Sequence, residues 1–168
     1  MRPLPPHWFR ITERGFDLPV AIFDMDGVLS DATHRQHHLA VDPPDWDGFG
    51  ATSHLDPPLV EGPGRVAELR SEHLITVVTA RPAPMFEVTS TWLARHEIHV
   101  DLIVLRPEGD YRPSQELKAD ELARIRSLGG DVRLAVEDDP ENHAMYVDAG
   151  VEALYIHSGY YDQGKAQP

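Results

Sequence analysis

Five short apolar runs, mostly β-branched, recur along the chain with helical patterns between them, and this alternation restricts the fold more than any other feature. The runs are VAIF (20–23), LITVVTA (74–80), DLIVLR (101–106), VRLAVE (132–137) and ALYIH (153–157). Their apolar residues are consecutive rather than alternating, which fits strands buried on both faces, and they are too short for helices. The segments 62–73, 83–97, 114–130 and 140–150 carry helix punctuation. Pro63 and Pro140 stand near starts, Ser114 opens a third, and Gly129, Gly130 and Gly150 close two of them. This order predicts an α/β fold, Rossmann-like, with a mostly parallel sheet, right-handed crossovers and flanking helices.

A chain of 168 residues suffices for one domain that buries roughly 70% of its extended surface. Residues 1–17 and 159–168 are Pro-rich or polar and read as an N-terminal arm and a C-terminal tail, leaving 18–158 as the domain. The stretch 30–60 is the longest without a regular pattern. Connections of that length are usually functional or mobile, so it is expected as an insertion loop near the site, too short for a second domain.

Charge and composition narrow the partners. The formal net charge of −13 opposes a broad polyanion-binding surface and favours cations, divalent metal first. No apolar run approaches the ~20 residues of a membrane span. The absence of cysteine excludes disulfides and thiolate chemistry. The first fifteen residues lack an apolar core with a cleavage site, so a cytoplasmic location is expected.

In open parallel sheets ligands bind beyond the carboxyl ends of the strands. Those ends carry Asp24 and Asp26 after the first run, Thr79 and Arg81 at the second, and Glu137, Asp138 and Asp139 at the fourth; Lys118 lies near the start of a helix within reach of the same edge. Residues i and i+2 of a strand face the same side, so Asp24 and Asp26 can both meet a ligand, and Gly27 lets the chain turn away. Two unit charges ~4 Å apart repel by about 4 kcal/mol at an effective dielectric of ~20. A cluster of four carboxylates therefore calls for a cation, and Mg²⁺ suits a site with few carboxylates and room for phosphate oxygens. Thr79, Arg81 and Lys118 are then what a phosphoryl group needs on its remaining oxygens.

The segments FDMDGVL, VVTAR, Lys118 and LAVEDD resemble, in order and approximate spacing, the four signature motifs of the haloacid dehalogenase superfamily of phosphotransferases, over roughly residues 20–157. The resemblance implies that fold with no large cap domain. It implies Asp24 as the nucleophile that forms an aspartyl-phosphate and Asp26 as general acid and then base. Mg²⁺ would be held by Asp24, the backbone carbonyl of Asp26 and Asp138, with Glu137 acting through water, while Thr79 and Lys118 hold phosphoryl oxygens.

A narrower likeness, carried by HR after the first motif, WDGF, TAR with TSTWL, LRPEGDYR and AGVEALYIHSG, is to the 3′-phosphatase domain of phage polynucleotide kinase-phosphatases. It implies that Arg35 and Arg81 assist the substrate phosphate, that the substrate is a 3′-phosphorylated DNA or RNA end, and that a kinase or ligase acts as a separate partner. Relatives often have an acidic residue four places before the lysine, where this chain has Ser114. The kinase half requires G-x-x-x-x-G-K-[ST]; GYYDQGKA (159–166) places Ala166 where the hydroxyl belongs, so no 5′-kinase activity is expected.

Other readings stand beside these. A small-molecule phosphatase such as a 5′- or 3′-nucleotidase would use the same motifs with 30–60 as a partial lid. A phospho-receiver signalling domain is disfavoured, because its phosphorylated aspartate follows the third strand, which here ends in LRPEG. Asp139 reads as a helix cap rather than a ligand. His34, His37 and His38 read as solvent-facing or substrate-contacting rather than as a zinc site. Trp46 and Phe49 either stack on a nucleobase or pack the loop on the core.

Overall fold

A computed structural model describes residues 3–163. Six strands form one sheet in the order β1-β4-β3-β2-β5-β6: β1 (Trp8–Arg10), β2 (Val20–Phe23), β3 (Leu74–Pro82), β4 (Leu102–Arg106), β5 (Val132–Glu137) and β6 (Glu152–Tyr155). All neighbours run parallel except β1, which pairs antiparallel with β4 through Phe9 and Ile103. The mostly parallel α/β architecture is the one the alternation predicts.

Side chains alternate between the two faces of a strand, so a central strand needs apolar residues at every position. In β2, Ala21 and Phe23 enter one core with Ile75, Val77 and Ile103, closed by Val66 of α2 (Glu61–Leu69) and Trp92 and Leu93 of α3 (Phe86–Arg95). Val20 and Ile22 enter the opposite core with Val78 and Val104, closed by Leu122 and Ile125 of α4 (Ser114–Ser127) and Met145 and Tyr146 of α5 (Pro140–Asp148). Each fully buried large side chain contributes roughly 1.5–3 kcal/mol. The central strands are thus fixed from both sides, and with them the positions of their carboxyl ends.

The N-terminal segment departs from the expected arm. Trp8 is buried in the core, its indole N–H donates to Glu121 Oε2 of α4 at 2.7 Å, and the His7 ring meets Glu121 Oε1 at 3.0 Å. A three-residue strand is too short to show a period, and its burial depends on a carboxylate more than a hundred residues away. The 30–60 stretch is also more ordered than an insertion loop. It holds 3₁₀ turns at Thr33–Leu39 and Ser53–Leu55 and the short helix α1 (Trp46–Ala51), whose N-cap Asp45 accepts from Gly48 N–H at 2.8 Å.

Of the expected tail, residues 159–163 turn back over the sheet edge. The Tyr160 hydroxyl donates to Asp31 Oδ1 at 3.0 Å and accepts from Ala32 N–H at 2.8 Å. Lys165 and Ala166 of the GYYDQGKA motif lie outside the described residues.

Candidate active site

The carboxyl ends of β2, β3 and β5 and the second turn of α4 bring the sequence-predicted residues to one place. Asp24 follows β2 directly, and its amide donates to Val136 O at 3.1 Å, which holds the β2 end against β5. The chain then folds back in a tight turn, with Leu29 and Ser30 amides donating to Met25 O at 2.9 and 3.0 Å. Gly27 is required there twice over. Its φ of +86° favours glycine, and a Cβ would collide with the Asp138 carboxylate.

Asp24, Glu137 and Asp138 form a trio whose oxygens lie within 4.8 Å of one another. Lys118 Nζ reaches between them, 2.9 Å from Asp24 Oδ1 and 2.5 Å from Glu137 Oε1. One ammonium against three carboxylates leaves two negative charges, the charge of one divalent ion. Among the described residues Glu137 Oε2 and both oxygens of Asp138 are buried without a hydrogen-bond partner; Ser158 stands near Asp138 but does not meet it in hydrogen-bond geometry. Buried carboxylate oxygens without donors are costly, so these residues fit a hard cation. Burial, and then the charge of Asp24, pushes the Asp138 carboxyl up to about 8. Burial raises Glu137 well above the usual range and raises Asp24 as well, against the pull of Lys118 in both cases.

Asp26 lies apart from the trio, its carboxylate held by two arginines. Arg35 Nη2 and Arg81 Nη2 each donate to Asp26 Oδ1 at 2.5 Å, Arg81 Nε donates to Oδ2 at 3.1 Å, and Ser30 Oγ donates to Oδ1 at 3.0 Å. Burial alone would raise this carboxyl, but the guanidiniums of Arg81 and then Arg35 overcome it and hold Asp26 far below the usual range. Both arginines also share Asp56: Arg35 Nε and Nη2 donate to it at 2.8 and 2.6 Å, and Arg81 Nη2 at 3.5 Å. Asp56 is itself pinned by the His34 ring at 2.8 Å and, through its backbone carbonyl, by the Trp92 indole N–H at 2.8 Å. Two aspartates and two arginines thus close a neutral box beside the trio.

Asp56 is the residue that sequence reasoning missed. It sits among prolines in HLDPPL, in no motif, and nothing in the sequence marks it as the partner of Arg35 and Arg81. Tyr160 and Tyr161 were missed too. The Tyr160 ring borders Gly27, and burial, together with the charge of Asp138, pushes the Tyr161 hydroxyl up.

The remaining predicted residues divide. Thr79 is buried at the site, its Oγ1 accepting from the Arg81 amide at 3.2 Å. Ser114 Oγ donates to Asn142 Oδ1 at 3.2 Å, joining the starts of α4 and α5. Asp139 caps α5 by accepting from Glu141 N–H at 2.9 Å. His38 meets Asp45 at 2.9 Å and His37 meets the His34 carbonyl at 3.1 Å, so the three histidines face separate partners. Phe49 packs beneath the Arg35 guanidinium at 4.1 Å, whereas Trp46 is 43% exposed.

No protein-family model matches the chain, and no curated protein matches it in sequence. Solved structures match its fold. A chain of the Pnkp1/Rnl/Hen1 RNA repair complex is 20% identical with a TM-score of 0.69 over 86% of this chain, which spans only 44% of that longer one. A haloacid dehalogenase-like family hydrolase from Streptococcus pneumoniae is 13% identical with a TM-score of 0.54, covering 82% of this chain and 84% of its own. A HAD-superfamily hydrolase of subfamily IA from Geobacter sulfurreducens is 14% identical with a TM-score of 0.53, covering 86% and 90%. The chain has the haloacid dehalogenase-like fold. Among the described residues no helix is long and apolar enough to cross a membrane.

Proposed function

We propose that a chain with this fold and this acidic cluster is a Mg²⁺-dependent phosphomonoesterase that works through an aspartyl-phosphate and removes 3′-phosphate from nucleic-acid ends. The carrying observation is the Asp24–Glu137–Asp138 trio, two charges short of neutral, at the end of the strand that presents Asp24. Asp24, Glu137 and Asp138 are the residues that would hold the ion. When bound, Mg²⁺ would neutralise the site and polarise a phosphoryl oxygen.

The chain's own groups then divide the work. An Asp24 carboxylate oxygen attacks phosphorus, the ester P–O bond breaks, and the leaving oxygen takes a proton from Asp26. Water next attacks the aspartyl-phosphate, Asp26 receives its proton, and Asp24 is released with inorganic phosphate. Lys118, 2.9 Å from Asp24 Oδ1, favours the ionised form of Asp24 and aims it, and Thr79 borders the phosphoryl site. Arg35 and Arg81 hold Asp26 as an anion in this structure, so its acid role requires them to be drawn onto the phosphoryl oxygens first and Asp26 to take up a proton from solvent, which the attacking water restores at the end of each turnover. The substrate would thereby arm its own proton donor.

The 3′-end assignment rests on the sequence likeness to polynucleotide 3′-phosphatases and on the fold shared with a chain of an RNA repair complex; a separate kinase or ligase partner belongs to the same reading. The net charge of −13 favours a second reading, a small-molecule phosphatase such as a nucleotidase. A substrate panel with Mg²⁺ and with EDTA tests both. A 3′-phosphorylated oligonucleotide hydrolysed faster than nucleoside monophosphates supports the first reading, and the reverse supports the second. No Mg²⁺-dependent hydrolysis of any member overturns both.

A further inference from the structure

Three tryptophans occur in the chain, and they are treated differently by the fold. Trp8 and Trp92 are 5% and 2% exposed, while Trp46 is 43% exposed. Large aromatic side chains bury much of their surface when a core can take them, so an exposed one calls for a reason. Trp46 opens α1, and its single aromatic contact among the described residues is edge-on to Phe49, with ring centroids 6.2 Å apart and planes at 82°. Phe49 in turn lies under the Arg35 guanidinium at 4.1 Å, and its carbonyl accepts from Arg35 Nη1 at 3.2 Å. Arg35 ends on Asp26. Gly50 of the same helix approaches the Met85 side chain, just beyond Arg81, so α1 lies on the arginine side of the site.

The contacts therefore run from an exposed indole through Phe49 and Arg35 to the carboxylate assigned to the leaving oxygen, which sets Trp46 at the outer end of the arginine side of the site. Charge adds a second argument. A protein at −13 gains little from long-range attraction to a nucleic-acid backbone, whereas stacking on a base needs no net charge.

We propose that Trp46 is the stacking platform for the nucleobase of the nucleotide whose phosphate is removed. The inference rests on the phosphatase reading and adds to it the recognition of a base.

The test compares wild type, Trp46→Ala and Trp46→Phe on three substrates: a 3′-phosphorylated oligonucleotide, the same strand ending in a base-free ribose analogue, and glycerol phosphate. Trp46→Ala should raise KM for the base-bearing strand about ten-fold with kcat little changed, the scale of one lost base–aromatic stack. Trp46→Phe should recover most of it. The two base-free substrates should not distinguish the three proteins. Because Trp8 and Trp92 are buried, binding of the oligonucleotide should also quench tryptophan fluorescence, and Trp46→Phe should remove the quenching. Equal losses on base-bearing and base-free substrates, or no loss on either, overturn the platform while leaving a phosphatase in place. If wild type hydrolyses none of the three, the phosphatase reading fails by itself, and the quenching decides the platform: base-dependent quenching sustains it, and its absence overturns it.

Discussion

Two clusters of buried charge lie side by side at one sheet edge and are balanced in opposite ways. In the box of Asp26, Asp56, Arg35 and Arg81, two acids face two bases and nearly every polar atom has a partner. In the trio of Asp24, Glu137 and Asp138, one lysine faces three acids among the described residues, and three buried oxygens meet no donor there. Closed ion pairs build structure, because desolvated charges are tolerable only when each is answered. The unanswered cluster stores the demand for something from outside. The difference separates a cluster already answered from within, which a substrate would have to rearrange, from one that waits for a cation, and like substitutions at Asp56 and Asp138 should have unlike effects.

The largest expected effect is on activity. Asp24→Asn keeps the shape of the residue and removes the attacking oxygen, so hydrolysis should fall below detection while circular dichroism and the thermal midpoint stay at or above wild type. Retained phosphatase activity would take the nucleophile assignment away. Next comes Asp56→Asn in the box. It leaves two buried guanidiniums sharing one carboxylate, and breaking a buried ion-pair network costs about 3–5 kcal/mol. For a domain of this size the thermal midpoint should drop by about 10 °C. An unchanged midpoint would show that the box is not a structural element.

How far these clusters could be read from sequence follows from the same distinction. Asp24, Asp138, Thr79 and Lys118 were legible because each stands at a strand end or helix start whose position the apolar pattern fixes. Asp56 was not, since its role arises only when Arg35 and Arg81 fold onto it from 21 and 25 residues away. The same holds for β1, whose Trp8 is buried through Glu121, and for Tyr160, which reaches Asp31 across 129 residues. Long-range partnerships between single polar residues leave no periodic trace. The place of Arg81 followed from its strand end, whereas Arg35 entered only through the family likeness, and the hold of both on Asp26 in the absence of substrate was not legible.

The third prediction concerns pH and metal. A carboxyl whose folded-state value is raised, as for Asp138 at about 8 and Glu137 in the same direction, contributes stability that is complete below its unfolded value near 4 and lost as pH rises through the folded one. In EDTA the midpoint should therefore fall between about pH 4 and pH 8. With saturating Mg²⁺ that slope should flatten, since ligand binding to the folded state adds stability by mass action. Thermal melts across this range, with and without Mg²⁺, decide it: a flat profile in EDTA would mean that the trio carries no unbalanced charge.

The smallest effect has the most telling sign. Asp138→Asn makes the same chemical change as Asp56→Asn, but at a carboxylate with no donors rather than one gripped by arginines. The new amide can donate toward Asp24 or Glu137, and one buried negative charge disappears. In EDTA at pH 8 the variant should be more stable than wild type by about 1–3 kcal/mol, the usual cost of an unsatisfied buried polar group, or several degrees in midpoint. At pH 5, where Asp138 is protonated in wild type, the gain should shrink. Mg²⁺ should no longer raise the midpoint as it does for wild type. Destabilisation at pH 8 in EDTA would mean that Asp138 is held by contacts within the protein, and the contrast between the two clusters would collapse.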